Sequence, residues 1–264
     1  MIETIFTRAR NEGRAAFIPY VMAGDPDLRT SFAVLDALAR AGVDAIELGI
    51  PYGDPLADGP TIAAAGVRAL AAGTGIADAF ALVRSFRDTH AVPIVLFTYF
   101  NPVYQYGFER FARDARAAGA SGAIVPDIPL EEGAQLGAML ATHDLDMPLL
   151  VAPSTSAERA ERIAAQATGF VYVVSRLGVT GASTTPNFTP LRDQLAMLRT
   201  LTEMPLAVGF GVSRAEHVRS IAPHVDGIIV GSALIDAYAG GDAADAAHRV
   251  TIFATTLVEA AKRT

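Results

Sequence analysis

Short apolar or β-branched runs punctuate the chain at 16–22, 45–48, 93–97, 122–125, 148–151, 170–174, 205–208 and 227–230. Most of the segments between them return apolar residues at helical spacing, as Phe32, Leu35 and Leu38 do, or Leu191, Leu195 and Leu198, with charged residues on the other face. The pattern predicts eight strands alternating with helices. Such alternation implies parallel pairing, and strands apolar almost throughout imply a sheet buried on both faces. A closed barrel and a doubly wound open sheet both meet that condition. Eight units in 264 residues favour closure, so the expected α/β architecture is a (β/α)8 TIM barrel, with residues 1–264 forming a single domain without a linker. Two additions are expected. Residues 2–11 read as an extra helix suited to covering the lower end of the barrel, and a short helical piece after Gly231 precedes Gly240-Gly241 and a long helix from Ala243. Ser213, Ser156 and Asp25-Pro26 are placed to cap helices.

Composition narrows the function classes. With 51% hydrophobic and 19% charged residues the chain can fill a large core, which excludes disorder. There is no cysteine, hence no disulfide, thiolate metal site or cysteine nucleophile. A net charge of −7 disfavours a nucleic-acid surface, though a single small anion needs only a few backbone N–H groups. The opening residues reach Arg8, Arg10 and Glu12 without an apolar stretch, so they read as neither a signal peptide nor a membrane span and point to the cytoplasm. His90, His143, His217, His224 and His248 lack ligand spacing and read as surface residues, with no metal site expected. Lys262, near the C-terminus, is the only lysine, which excludes a Schiff base in the barrel.

Polar residues at the carboxyl ends of barrel strands are the candidates for chemistry. Glu47 sits inside the apolar run at 45–51, where an ionised carboxylate costs several kcal/mol unless paired or solvated. A structural ion pair and a catalytic acid explain it equally well. The following loop, 51–60, adds Asp54 and Asp58 among glycines and prolines, which turn chemistry alone would explain. Gly209-Phe210-Gly211 after the seventh strand and Gly231-Ser232 after the eighth fall where many barrels offer backbone N–H groups to a phosphate, although each could be an ordinary tight turn. The long polar stretch from Ser175 to Asn187 reads as a lid.

Taken in order, 47–51 (ELGIP), 54–60 (DPLADGP), 99–102 (YFNP), Tyr106-Gly107, 126–132 (PDIPLEE), Ser175-Arg176 with 178–181 (GVTG), and 209–212 (GFGV) resemble the signature of tryptophan synthase α subunits over nearly the whole chain. The resemblance implies a lyase of tryptophan biosynthesis that cleaves indole-3-glycerol phosphate to indole and glyceraldehyde 3-phosphate. It implies Glu47 as general acid and base and Asp58 as acceptor for the indole N–H. Tyr99, Tyr172, Phe210 and Ile62 would line the substrate site, with Thr180 a lid residue, and Gly181, Gly211, Gly231 and Ser232 would bind phosphate. Asp54, Asn101 and Pro102 would face a β subunit in an α2β2 heterotetramer. No cofactor is implied in this chain; pyridoxal phosphate belongs to the partner. Tyr52-Gly53, Met22 and Ala63 depart from the usual Phe-Ser, Thr and Gln, which touches the substrate loop and partner face. Another phosphate-binding barrel enzyme, or a silent subunit that only activates a partner, are the rival readings.

Overall fold

The computed structural model of the chain describes residues 2–175, 188–209 and 211–263. Its strands are β1 (Ala16–Met22), β2 (Ile46–Gly49), β3 (Ile94–Phe97), β4 (Gly122–Ile124), β5 (Leu149–Val151), β6 (Val171–Val174), β7 (Leu206–Gly209) and β8 (Gly227–Val230). They form one sheet of eight in the order β4-β3-β2-β1-β8-β7-β6-β5, parallel throughout. The edges meet through Asp146, just ahead of β5, which bridges Gly122 in parallel. Ala123 N donates to the Asp146 carbonyl at 2.9 Å and Asp146 N to that of Ser121 at 3.0 Å. The sheet is therefore a nearly closed barrel, as the alternating pattern implied, and each strand lies within a residue of its expected span.

The helix Glu3–Asn11 lies across the amino-terminal ends of the strands. Ile2, Ile5, Phe6 and Ala9 are buried, and the Phe6 ring meets Phe170 at 5.6 Å. Three acids that precede strands tie this segment down: Asp146 accepts from Ile2 N, Asp44 from Arg8 and Asp226 from Arg10. The lower end is thus closed by apolar burial and ion pairs, which leaves the opposite end of the barrel for ligands. After β8 come the helices Ser232–Tyr238 and Ala243–Ala260, the latter packed against Leu28–Arg40.

Capping departs from expectation at two of three helices. Ser156 accepts from Arg159 N as expected. Asp27, rather than Asp25-Pro26, caps Leu28–Arg40 by accepting from Thr30 N at 2.7 Å, because the Asp25 carboxylate is drawn into a two-point pair with Arg68 at 2.7 and 2.9 Å. Helix Ala215–Ile221 begins after Arg214 without a side-chain cap, and Ser213 turns to the cavity described next.

Candidate active site

In a parallel sheet register partners point to the same face. Tyr20 of β1 pairs with Glu47 of β2, which pairs with Val95 of β3. Tyr20 and Glu47 both face a cavity of about 230 Å3 at the carboxyl ends of the strands. Among the residues expected from sequence, Glu47, Asp58, Ile62, Tyr172, Gly211, Gly231 and Ser232 line it together. Phe210, Thr180 and Gly181 lie outside the described residues, as does most of the stretch read as a lid.

Glu47 is 1% exposed, and neither carboxylate oxygen has a hydrogen-bond partner among the described residues. No ion pair reaches it among those residues either, so the structural-pair explanation loses its support there. Burial alone pushes its pKa well above the ordinary carboxylate range. Asp58 is half-buried and differently held. The Tyr99 hydroxyl donates to its Oδ1 at 2.7 Å and accepts from Ala57 N at 3.2 Å. Burial raises the Asp58 pKa, while the bond from Tyr99 opposes the rise. Tyr99, expected as a wall of the site, therefore stands behind Asp58 and fixes the loop that carries it. Two carboxyl groups in one cavity, one desolvated and one hydrogen-bonded, are set up for different protonation roles.

Across the cavity lie the turns after β7 and β8. Gly211 has φ +88, a conformation that side chains strain. Gly231 precedes helix Ser232–Tyr238, which starts without a side-chain cap, and the first N–H groups of a helix have no partner a turn before them. Val212, Ser213 and Ala233 join this wall, and Phe97, Ile229 and Tyr20 line the cavity as well, beside Gly59 of the Asp58 loop. None of these was expected from sequence as a site residue. For Tyr20 the signal was available, since it is a polar-tipped residue near the end of a strand, the same feature that marked Glu47.

The residues expected to face a partner sit on one surface beside the Asp58 loop. Asp54 and Asn101 are exposed and Pro102 is half-buried. Asn101 Nδ2 donates to the Tyr52 hydroxyl at 3.3 Å, and the Tyr52 ring lies 5.5 Å from that of Tyr99. The unusual Tyr52 thus adds a hydrogen bond that a phenylalanine could not make. Met22 is buried and Ala63 half-buried. The surface reading of the histidines holds for His224 and His248. His90, His143 and His217 are half-buried, the first two bonded to Asp36 and Glu109. Among the described residues no cluster of three or more His, Asp or Glu could hold a metal ion, and no single helix is long and apolar enough to cross a membrane.

Fold and cavity together define a class: a (β/α)8 barrel whose mouth opposes two acids to glycine turns after its last two strands. Comparison with known proteins narrows the class to a family. The family model described as tryptophan synthase alpha chain matches residues 6–262. The tryptophan synthase alpha chain of Synechococcus elongatus is 48% identical over 236 residues, covering 89% of this chain and 88% of that one. The alpha chain of a second Synechococcus strain is 45% identical over 257 residues, covering 97% and 95%. Among solved structures, Mycobacterium tuberculosis tryptophan synthase superposes with a TM-score of 0.91 at 37% identity, covering 100% of this chain and 98% of that one. A chain of the Pyrococcus furiosus tryptophan synthase complex gives 0.85 at 35% identity, covering 94% and 99%. The chain belongs to the tryptophan synthase alpha chain family.

Proposed function

We propose that this chain is the lyase subunit that splits indole-3-glycerol phosphate into indole and glyceraldehyde 3-phosphate, with Glu47 and Asp58 as its catalytic pair. The observation that carries the reading is the Glu47 carboxyl, buried, unpartnered among the described residues and facing the cavity that Asp58 also lines. Burial raises its pKa and so favours the protonated form, as a general acid needs. The protonated Glu47 delivers its proton to the third carbon of the indole ring, turning the ring into an iminium-like electron sink. The Asp58 carboxylate accepts a hydrogen bond from the ring N–H and stabilises that positive charge. Glu47, now a carboxylate, takes the proton from the adjacent hydroxyl of the chain. The carbon-carbon bond breaks, its electron pair returns to the ring, and indole and the aldehyde leave with Glu47 reprotonated.

Ile62 and Tyr172 flank the ring, with Tyr99 supporting Asp58, and Gly211, Gly231 and Ser232 hold the phosphate through backbone N–H groups and a hydroxyl. Phe210, Thr180 and Gly181 are assigned to the ring, the lid and the phosphate on their motifs alone. Nothing in this scheme asks for a cofactor in this chain. Asp54, Asn101 and Pro102 are assigned to a β subunit, which would carry pyridoxal phosphate within an α2β2 assembly; the exposed Leu56 and Tyr104 on the neighbouring loop and helix supply apolar area for such a contact. We read residues 1–264 as one domain, on the packing of both terminal helices against β1, and propose the cytoplasm as the place of the reaction.

The test is an indole-release assay on the purified chain with and without a β subunit. Release of indole from indole-3-glycerol phosphate, enhanced by the partner, is expected; no release in either condition would reject the reading in favour of a silent subunit. Two variants sharpen it. Asp58→Asn keeps the shape of the loop but weakens the acceptor, and kcat is expected to fall by about a hundredfold; an unchanged kcat would remove Asp58 from the reaction. Gly211→Val places a branched side chain where φ is +88 and fills the anion wall, so KM is expected to rise by about tenfold or more. Steady-state kinetics checks it, and an unaltered KM would move the phosphate elsewhere.

A further inference from the structure

Tyr20 stretches across the cavity from the anion wall to the acids. At one end, a Cβ built on Gly231 would lie 3.6 Å from the Tyr20 Cβ, beside the turn after β8. At the other, a Cβ on Gly49 would collide with the Tyr20 hydroxyl. Gly49 is two residues beyond Glu47 on the same face of β2, so the hydroxyl reaches the strand end just above that carboxyl. The ring is 4% exposed and is fixed edge-on against Phe97, with centroids 5.6 Å apart at 87°. Its hydroxyl forms no hydrogen bond with any other described residue, although the residue lines the cavity. A buried phenol needs a partner. Here the cavity is open to the residue, so a molecule that fills it can supply one.

The substrate proposed above has three parts: a ring between the acids, a phosphate at the glycine turns, and a three-carbon chain with two hydroxyls joining them. The Tyr20 hydroxyl lies at the strand end above Glu47, the group that in this scheme takes the proton from the chain hydroxyl next to the ring. We infer that Tyr20 is a specificity-determining residue whose hydroxyl donates a hydrogen bond to a chain hydroxyl, so that the site selects for a hydroxylated chain as well as for the ring and the phosphate. Burial first, and then the neighbouring Asp58 and other groups including Glu47, hold the phenol well above its ordinary pKa, which keeps it a donor. The glycine at 49 follows from the same arrangement, since any side chain there would displace the hydroxyl. A phenylalanine at position 20 would preserve the wall and the contact with Phe97 while removing the donor.

The inference rests on the substrate reading above, and the experiment separates the two. Binding is measured by calorimetry on the full chain carrying Glu47→Gln, so that substrate is not consumed, with and without Tyr20→Phe. The two probes are indole-3-glycerol phosphate and the analogue in which both chain hydroxyls are replaced by hydrogen. Tyr20→Phe is expected to weaken binding of the hydroxylated probe by about three- to tenfold and of the deoxy analogue by less than about twofold. Equal losses for both probes would make Tyr20 a wall residue only, and no loss for either would remove it from the site; both outcomes overturn the inference and leave the substrate reading standing. Failure of the chain with Tyr20 intact to bind either probe would overturn the substrate reading, and this inference with it.

Discussion

Glu47→Gln is expected to reduce indole release by about a thousandfold or more, to leave substrate binding largely intact, and to gain heat stability relative to the parent chain as pH rises. The first effect follows from the proton. An amide matches the carboxyl in size but can neither deliver a proton to the ring carbon nor remove one from the chain hydroxyl. The last follows from burial. Both carboxylate oxygens lie away from solvent without hydrogen-bond partners among the described residues, so the folded-state pKa stands well above the ordinary glutamate value of 4.5. Below that unfolded value both states are protonated and the contribution of Glu47 to stability is fully present. Above it the unfolded chain releases its proton while the folded chain retains it, and stability is lost until pH passes the folded-state pKa. Each unit of elevation corresponds to about 1.4 kcal/mol. Glutamine has no proton to lose, so the difference in Tm between variant and parent should widen over the pH range that begins near 4.5 and extends upward. Its slope is the informative quantity, because a buried amide carries its own pH-independent cost. Thermal melts across that range check the linkage and single-turnover assays check the chemistry. A flat difference in Tm would refute the raised pKa, and undiminished turnover would refute the role.

Such a carboxyl is a stability liability that the surrounding barrel must offset, and the same liability made it visible in the sequence. A charge inside an apolar run, as in residues 45–51, breaks the expectation that a two-sided buried strand excludes ionisable groups. The strands themselves were legible for the complementary reason: burial on both faces makes a parallel strand a continuous apolar run, and the eight runs fell within a residue of the observed bounds. Tyr20 escaped notice because its ring satisfies that same apolar pattern, which masked the one available signal, a polar tip near the end of a strand. Tyr99 was placed in the site, but its grip on Asp58 spans 41 residues of chain and no local spacing encodes it. Asp27 and Asp25 show how close competition hides a cap. Both lie just ahead of the helix, and which one caps it is decided by Arg68, far along the chain.

The base of the barrel carries the other large effect. Asp44→Ala is expected to destabilise the fold by about 3–5 kcal/mol while leaving the active-site chemistry intact at temperatures where the chain remains folded. Asp44 precedes β2 and is wholly buried. Its Oδ1 accepts from Arg8 at 2.7 Å and Arg14 at 2.8 Å, and its Oδ2 from Arg14 at 2.5 Å and from Phe17 N at 2.8 Å. One carboxylate thereby joins the first helix, the loop after it and the start of β1. Arg14 is only 8% exposed, and the pairing, led by its hydrogen bonds to Asp44, raises its pKa. Removing Asp44 leaves that guanidinium with only Glu12 and the Ala15 carbonyl among the described residues and takes the Asp44 acceptor from Phe17 N. Most of the cost therefore lies in the orphaned partners, which gives the prediction a second arm. Arg14→Leu combined with Asp44→Leu removes both charges and should cost less than Asp44→Ala by itself. Urea unfolding with matched m-values measures both. A single variant within about 1 kcal/mol of the parent, or a double variant worse than the single, would show that the first helix is held by its apolar face and that the ion pairs beneath the barrel contribute little.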